Sequence, residues 1–299
     1  IVHDALGDAI RLETVNEAED GEDIQLTLDP QIQEKTERVL AEVGETYAPK
    51  GATAIVMDPR SSQILAMANW PPVDPNDLSS ASNEDLVNKA TGFTYEPGST
   101  FKAFTVSAAL QEKLVTPSSS FVLPPSIQVA DRTIEDAEPR PTETMSVAEI
   151  LSHSSNVGAV TIGLEVGAEK FSKWVDRFGF GRPTGVQFPA EERGIVLNLD
   201  EDAGSAVGNM PIGQGISVTP MQMMAGYAAI ADGGILRRPQ LIERLGAEKV
   251  HEPKGHRVID ADVAQQVREM LEGVLAGGGP ASGVSVPLSA SGASSASAS

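Results

Sequence analysis

Cysteine is missing from all 299 residues, which excludes disulfides, thiolate metal sites and a cysteine nucleophile, and leaves either side of a membrane open as the compartment. Positive charge is also in short supply. The 22 basic side chains face 42 acidic ones, for a formal charge of -20, which repels phosphate backbones and anionic surfaces, so no nucleic-acid partner is expected. No stretch approaches the roughly 18 apolar residues needed to cross a bilayer, and the first residues lack the basic start and apolar centre of a signal peptide. The chain therefore reads as soluble and, opening on Ile1 rather than Met, as a piece of something longer. Four histidines, His3, His153, His251 and His256, are too scattered for a metal site, and no His-Glu-x-x-His helix occurs. Gly213 and Gly215 lack the strand and helix that would make a nucleotide loop. Neither a metal nor an organic cofactor is expected. What is present is ordinary globular material, 40% hydrophobic and 21% charged, enough to build a core.

The patterning alternates short strands with longer helices. Residues 1–23 are acidic and weakly patterned; 24–28 alternate like a strand; Asp29 followed by Pro30 then signals a helix towards Val43. Residues 53–57 and 63–67, split by Asp58-Pro-Arg-Ser-Ser62, read as a β-hairpin, the clearest sheet signal present. After an irregular stretch over 70–98, helical spacing runs from Ser99 to about Lys113, then over 146–152, 156–166, 169–178, 220–231 and 260–275. Met221, Met223 and Met224 read as core filler, and Trp70 and Trp174 as packing residues. From Gly273 onward no residue is charged, and the Ser/Ala/Gly-rich end cannot bury enough apolar area to offset its ordering entropy, so disorder is expected there.

Two short motifs carry chemistry. Glu96-Pro-Gly-Ser-Thr-Phe-Lys102 holds a Ser-x-x-Lys pair at a helix start, where residues i and i+3 share a face and the Lys102 amine can lie beside the Ser99 hydroxyl. The positive end of the helix and partial burial both disfavour the ammonium, so a neutral amine can take the hydroxyl proton. About 0.8 such pairs are expected by chance in a chain like this, so the pair alone decides little. The sole Ser-x-Asn, at Ser154 and Asn156, sits between two expected helices. Ser154 there can relay a proton to a leaving amine, and Asn156 can bind a substrate amide and hold Lys102. The competing reading is that both residues merely cap helices.

Together these residues resemble the penicillin-binding protein and serine β-lactamase superfamily, whose signatures are Ser-x-x-Lys, Ser-x-Asn and Lys-Thr-Gly. The longer wording, Tyr95-Glu-Pro-Gly-Ser-Thr-Phe-Lys102, Ser154-Ser-Asn-Val-Gly158, Phe178-Gly-Phe-Gly181 and Ile212-Gly-Gln-Gly-Ile-Ser-Val-Thr-Pro220, is similar to the class B transpeptidases, in order from about Ile24 to Leu275. The resemblance implies an α+β penicillin-binding transpeptidase fold, an antiparallel sheet with a helical subdomain inserted before the third motif and the active site between them. It implies a serine acyl-enzyme that cross-links peptidoglycan stem peptides and is acylated by β-lactams at Ser99. Implied partners are a membrane glycan polymerase and divisome or elongasome proteins; the implied location is the extracytoplasmic face of a bacterial membrane. Residues 1–23 would then be the remnant of an N-terminal pedestal, 24–276 an incomplete transpeptidase domain and 277–299 a low-complexity tail.

The third signature departs from the pattern. None of the nine lysines precedes Ser-Gly or Thr-Gly; Thr184-Gly185 follows Arg182-Pro183 in a loop position, and Ala281-Ser-Gly283 and Ala290-Ser-Gly292 offer alanine where a cation belongs. Losing one charge-assisted contact of that kind costs about 1.5–3 kcal/mol in a binding step. The hairpin at 53–67 would also lack its main pairing strands and be marginal alone. Three explanations are open: a shifted reading frame near Gly277, a non-catalytic wall-binding or interaction domain, or an exposed linker ending a truncated product.

Overall fold

The computed structural model describes residues 2–3, 9–11, 21–197 and 206–276. The expected disordered tail and its two Ser-Gly pairs lie outside the described residues. Contacts divide the chain into a small unit, residues 1–26 with 242–251, and a large one, 27–241 with 252–299. The small unit is antiparallel: Ile242–Leu245 pairs with both Ile24–Leu26 and Glu248–Lys249, and Val2–His3 pairs with Ala9–Arg11.

The large unit begins with helix α1, Pro30–Tyr47. Asp29 starts it as the spacing predicts, its Oδ1 accepting the N–H groups of Gln31 at 2.9 Å and Ile32 at 3.1 Å. The helix runs one turn beyond Val43 and stops at Ala48 in the left-handed region. The expected hairpin follows as β1, Ala52–Met57, and β2, Ile64–Trp70, in antiparallel register from Ala52 opposite Trp70 to Val56 opposite Ala66. Its turn is closed by Asp58, whose Oδ1 accepts from the N–H groups of Arg60 and Ser61. Strand β2 alternates as a half-buried strand should, with Ile64, Ala66 and Ala68 inward. Against it α1 lays Gly44, where a side-chain carbon would stand 2.3 Å from the Trp70 indole. Gln33 also closes a gap, its amide accepting from Met67 N–H at 2.8 Å and donating to Met67 C=O at 3.1 Å. Among the described residues the hairpin has no third ladder strand, only an isolated bridge from Gln63 to Gln240.

The helical part is built around α2, Lys102–Gln111, buried from Lys102 to Leu110. A helix apolar on all sides must be surrounded, and α3 (Val147–Ser152), α4 (Asn156–Val166), α5 (Ala168–Arg177), α6 (Pro220–Ala231) and α7 (Ala261–Ala276) surround it. The Phe178-Gly-Phe segment supplies packing: Phe104 lies 5.0 Å centroid to centroid from both Phe178 and Phe180, and 5.2 Å from Tyr227. The three methionines at the head of α6 are core, as expected, with Met221 fully buried. Trp174 packs too, its indole N–H donating to Glu112 at 3.1 Å. Between α2 and α3 stand two small antiparallel pairs without an expectation behind them: β3 (Ser120–Leu123) with β6 (Glu143–Ser146), and β4 (Ser126–Val129) with β5 (Arg132–Glu135). No helix among the described residues is long and apolar enough to cross a membrane.

Candidate active site

Ser99 lies in a 3-10 turn, Gly98–Phe101, that feeds α2, rather than in the α-helix the spacing predicts to begin there. Residues i and i+3 eclipse in a 3-10 helix, yet among the described residues no hydrogen bond joins Lys102 Nζ to Ser99 Oγ. Gly98 enters at φ +57, and its N–H donates to Gly213 C=O at 3.1 Å. Gly213 has φ +73, and a side-chain carbon there would stand 2.2 Å from Gly98 O, so main chain meets main chain with no room between. The same loop grips upstream: Tyr95 and Val218 exchange two main-chain hydrogen bonds of 2.9 Å, and Glu96 accepts from Gly215 N–H at 2.9 Å. Tyr227 on α6 donates its hydroxyl to Thr100 C=O at 2.7 Å; burial, with Tyr95 beside it, pushes that phenol up to about 12. The Ile212–Pro220 wording is thus a clamp on the Ser99 turn. Ser99 itself is exposed, and its hydroxyl has no hydrogen-bond partner among the described residues.

Lys102 points the other way in character, being 1% exposed. Its Nζ donates to Ser154 C=O at 2.5 Å, Ser154 Oγ at 3.0 Å and Asn156 Oδ1 at 2.7 Å. Lys102, Ser154 and Asn156 are therefore brought together, with Ser99 one turn before Lys102. Burial pushes the ammonium down to about 8, against the Asp136 carboxylate, which pulls it up.

The loop that receives Lys102 is strained and braced. Ser154 adopts φ +57, uncommon outside glycine, and so offers both its carbonyl and its hydroxyl to one ammonium. The capping alternative is settled in favour of a neighbour: Ser155 caps α4, its Oγ accepting from Gly158 N–H at 3.0 Å. Asn156 donates Nδ2 to Glu135 C=O at 2.9 Å, which turns its Oδ1 to Lys102. His153 is exposed beside this loop.

One brace had no signal in the sequence. Asp136 accepts from Asn156 N–H at 2.5 Å, Val157 N–H at 3.0 Å, Ser155 Oγ at 3.0 Å and Arg140 Nε at 2.5 Å. Burial alone would raise this carboxyl; the bonds from Val157, Arg140 and Ser155 outweigh it and hold it below the usual range. Asp136→Asn is expected to shift the inflection of the acylation-rate profile to lower pH, because the charge that raises Lys102 is gone. The looser loop should cost about 1.5–3 kcal/mol of stability, the worth of charged hydrogen bonds. Rate–pH profiles with a chromogenic cephalosporin, alongside thermal melts, check both; an unmoved inflection would show that Lys102 does not feel Asp136.

A buried lysine gripped by a serine and an asparagine thus stands one turn after an exposed serine, in a mostly helical subdomain. Residues 52–290 match the penicillin-binding protein transpeptidase domain model, and the chain belongs to that family, in its class B branch. It is 34% identical over 278 residues to penicillin-binding protein PbpB of Mycobacterium tuberculosis, covering 88% of this chain and 41% of that protein. It is 31% identical over 281 residues to a probable peptidoglycan D,D-transpeptidase, FtsI, of Caulobacter vibrioides, covering 93% and 46%. The crystal structure of penicillin-binding protein 3 of Mycobacterium tuberculosis, complexed with aztreonam, superposes with a TM-score of 0.82 at 33% identity, over 89% of this chain and 60% of that one. The chain thus spans less than half the length of these curated relatives. The architecture is the expected α+β transpeptidase fold.

Proposed function

We propose that this chain carries the acyl-transfer machinery of a peptidoglycan D,D-transpeptidase. The supporting observation is the buried Lys102 amine, lowered to about 8 and held between Ser154 and Asn156 one turn after Ser99. Ser99 Oγ attacks the penultimate D-Ala carbonyl of a stem peptide while neutral Lys102 takes its proton. The carbon–nitrogen bond to terminal D-Ala breaks, and Ser154 passes a proton to the leaving nitrogen. An amine of a neighbouring stem then attacks the ester, releases Ser99 and completes the cross-link. Asn156 fixes Lys102 and the substrate amide, and the Ser99 N–H gives one oxyanion donor. β-Lactams acylate the same oxygen. The natural setting is the extracytoplasmic face of a bacterial membrane, beside a glycan polymerase and divisome or elongasome proteins, with residues 1–23 reading as pedestal and 24–276 as the transpeptidase domain.

The absent Lys-Thr-Gly favours a second reading, a wall-binding or interaction domain that keeps the fold without turnover. Fluorescent penicillin followed by a denaturing gel separates the two. The 299-residue chain is expected to label faintly and Ser99→Ala not at all. Equal labelling of the two would remove Ser99 as nucleophile; strong labelling of the chain as it stands would show that the third motif is dispensable here.

A further inference from the structure

A cavity of about 430 Å³ opens between the Phe178–Thr184 segment, α6 and the short antiparallel pair β7 (Ile235–Leu236) and β8 (His256–Arg257). None of Ser99, Lys102, Ser154 or Asn156 lines it. Its wall is cationic instead: Arg182, Arg237, Arg238 and Lys254 border it, four of only 22 basic residues in a chain of net charge -20. Two of the four are answered by carboxylates, Arg182 by Asp176 at 3.2 Å and Arg237 by Asp232. Arg238 and Lys254 have no hydrogen bond or ion pair among the described residues.

Both lie just beyond the short strand pair that walls the cavity. Ile235 pairs with Arg257 and Leu236 with His256; one step outward, a side-chain carbon on Gly255 would stand 2.8 Å from the Arg237 stem. Arg238 and Lys254 are both exposed, and both border the same cavity. The Arg238 stem is further confined by Gly185, whose added carbon would meet its Cδ at 3.0 Å. Phe178 and Leu236, both buried, give the cavity an apolar floor.

We propose that this cavity binds a phosphate-bearing ligand, its phosphate between Arg238 and Lys254 and its organic part against Phe178 and Leu236. A guanidinium fork matches phosphate oxygens in bidentate fashion, and an ammonium adds a compact second charge. Two unanswered cations suit a dianion, and a cavity of about 430 Å³ admits a small ester or a single lipid headgroup.

Calorimetric titration of the 299-residue chain with inorganic phosphate, at fixed ionic strength, tests the site. Saturable one-to-one binding is expected. Arg238→Gln with Lys254→Gln should weaken it by about tenfold per charge removed, whereas Lys50→Gln, an exposed lysine remote from the cavity lining, should not. Without phosphate the double variant is expected to match the parent in circular dichroism and thermal melting, so that loss of binding cannot be laid to misfolding. Absence of saturable binding, or binding equal in the double variant, overturns the proposal. Flotation with phosphatidylglycerol and phosphatidylcholine vesicles identifies the source: retention on the anionic vesicles alone, lost in the double variant, supports a lipid headgroup, and phosphate binding without retention supports a free ester.

Discussion

Adding a strand that carries Lys-Thr-Gly after α7 is expected to raise the rate of penicillin acylation at Ser99 by about 10³-fold or more over that of the 299-residue chain. Two losses combine to that figure. A missing charge-assisted contact to the substrate carboxylate costs about 1.5–3 kcal/mol, some 10- to 100-fold. A missing oxyanion donor from the same strand costs about 10²–10³-fold more. Ser99 stands exposed, and Lys102 is already held by Ser154 and Asn156. Stopped-flow acylation of the two forms gives the ratio. A ratio near one would mean that the strand contributes nothing, and the wall-binding reading would lose its motive.

In the strand-bearing form, Lys102→Ala is expected to cut acylation by about 10²–10⁴-fold, the usual worth of a positioned general base. The unsubstituted enzyme should accelerate as pH rises, level off above about 8 as the Lys102 amine loses its proton, and show no such inflection after substitution. The same proton links to stability. Lys102 falls from 10.5 to about 8 on folding, so below pH 8 both folded and unfolded chains hold the proton and the folded one bears the full burial cost, about 3 kcal/mol. Between about 8 and 10.5 the unfolded chain binds more protons, and stability attributable to this residue rises with pH. The difference in unfolding free energy between the parent and Lys102→Met should therefore move in the parent's favour from pH 7 to 10. A flat difference would place the Lys102 proton affinity near that of a solvated lysine.

How much of this was readable beforehand depends on the kind of signal each element leaves. Asp29-Pro30 announced α1, and the hairpin was visible because strand periodicity and a turn-rich break coincided. Helices α3 to α7 followed their spacing within a residue or two. The β3–β6 and β4–β5 pairs left almost no trace: these strands are four residues long, and the inward positions are few, Leu123, Ile134 and Met145 among them. The 3-10 turn at Ser99 was hidden because 3-10 and α-helix share the i, i+3 face and differ only in winding. Asp136 escaped because two of its partners are main-chain N–H groups about 20 residues away, which no residue-type pattern encodes, and its i,i+4 partner Arg140 lies outside any helix. In the same way Gly213 stood within the Ile212–Pro220 wording, but nothing in that wording tells that its partner is Gly98, the residue next to Ser99.

That last pairing bears on which residue changes the domain can absorb. At position 213 an added carbon would strike the Gly98 main chain, so a saturation library would show a narrow veto there, whereas position 98 has open space and is restricted only by its φ of +57, which asparagine can also adopt. Gln214, next to Gly213 and exposed, would accept varied replacements. Variation in this loop is thereby confined to its outward residues.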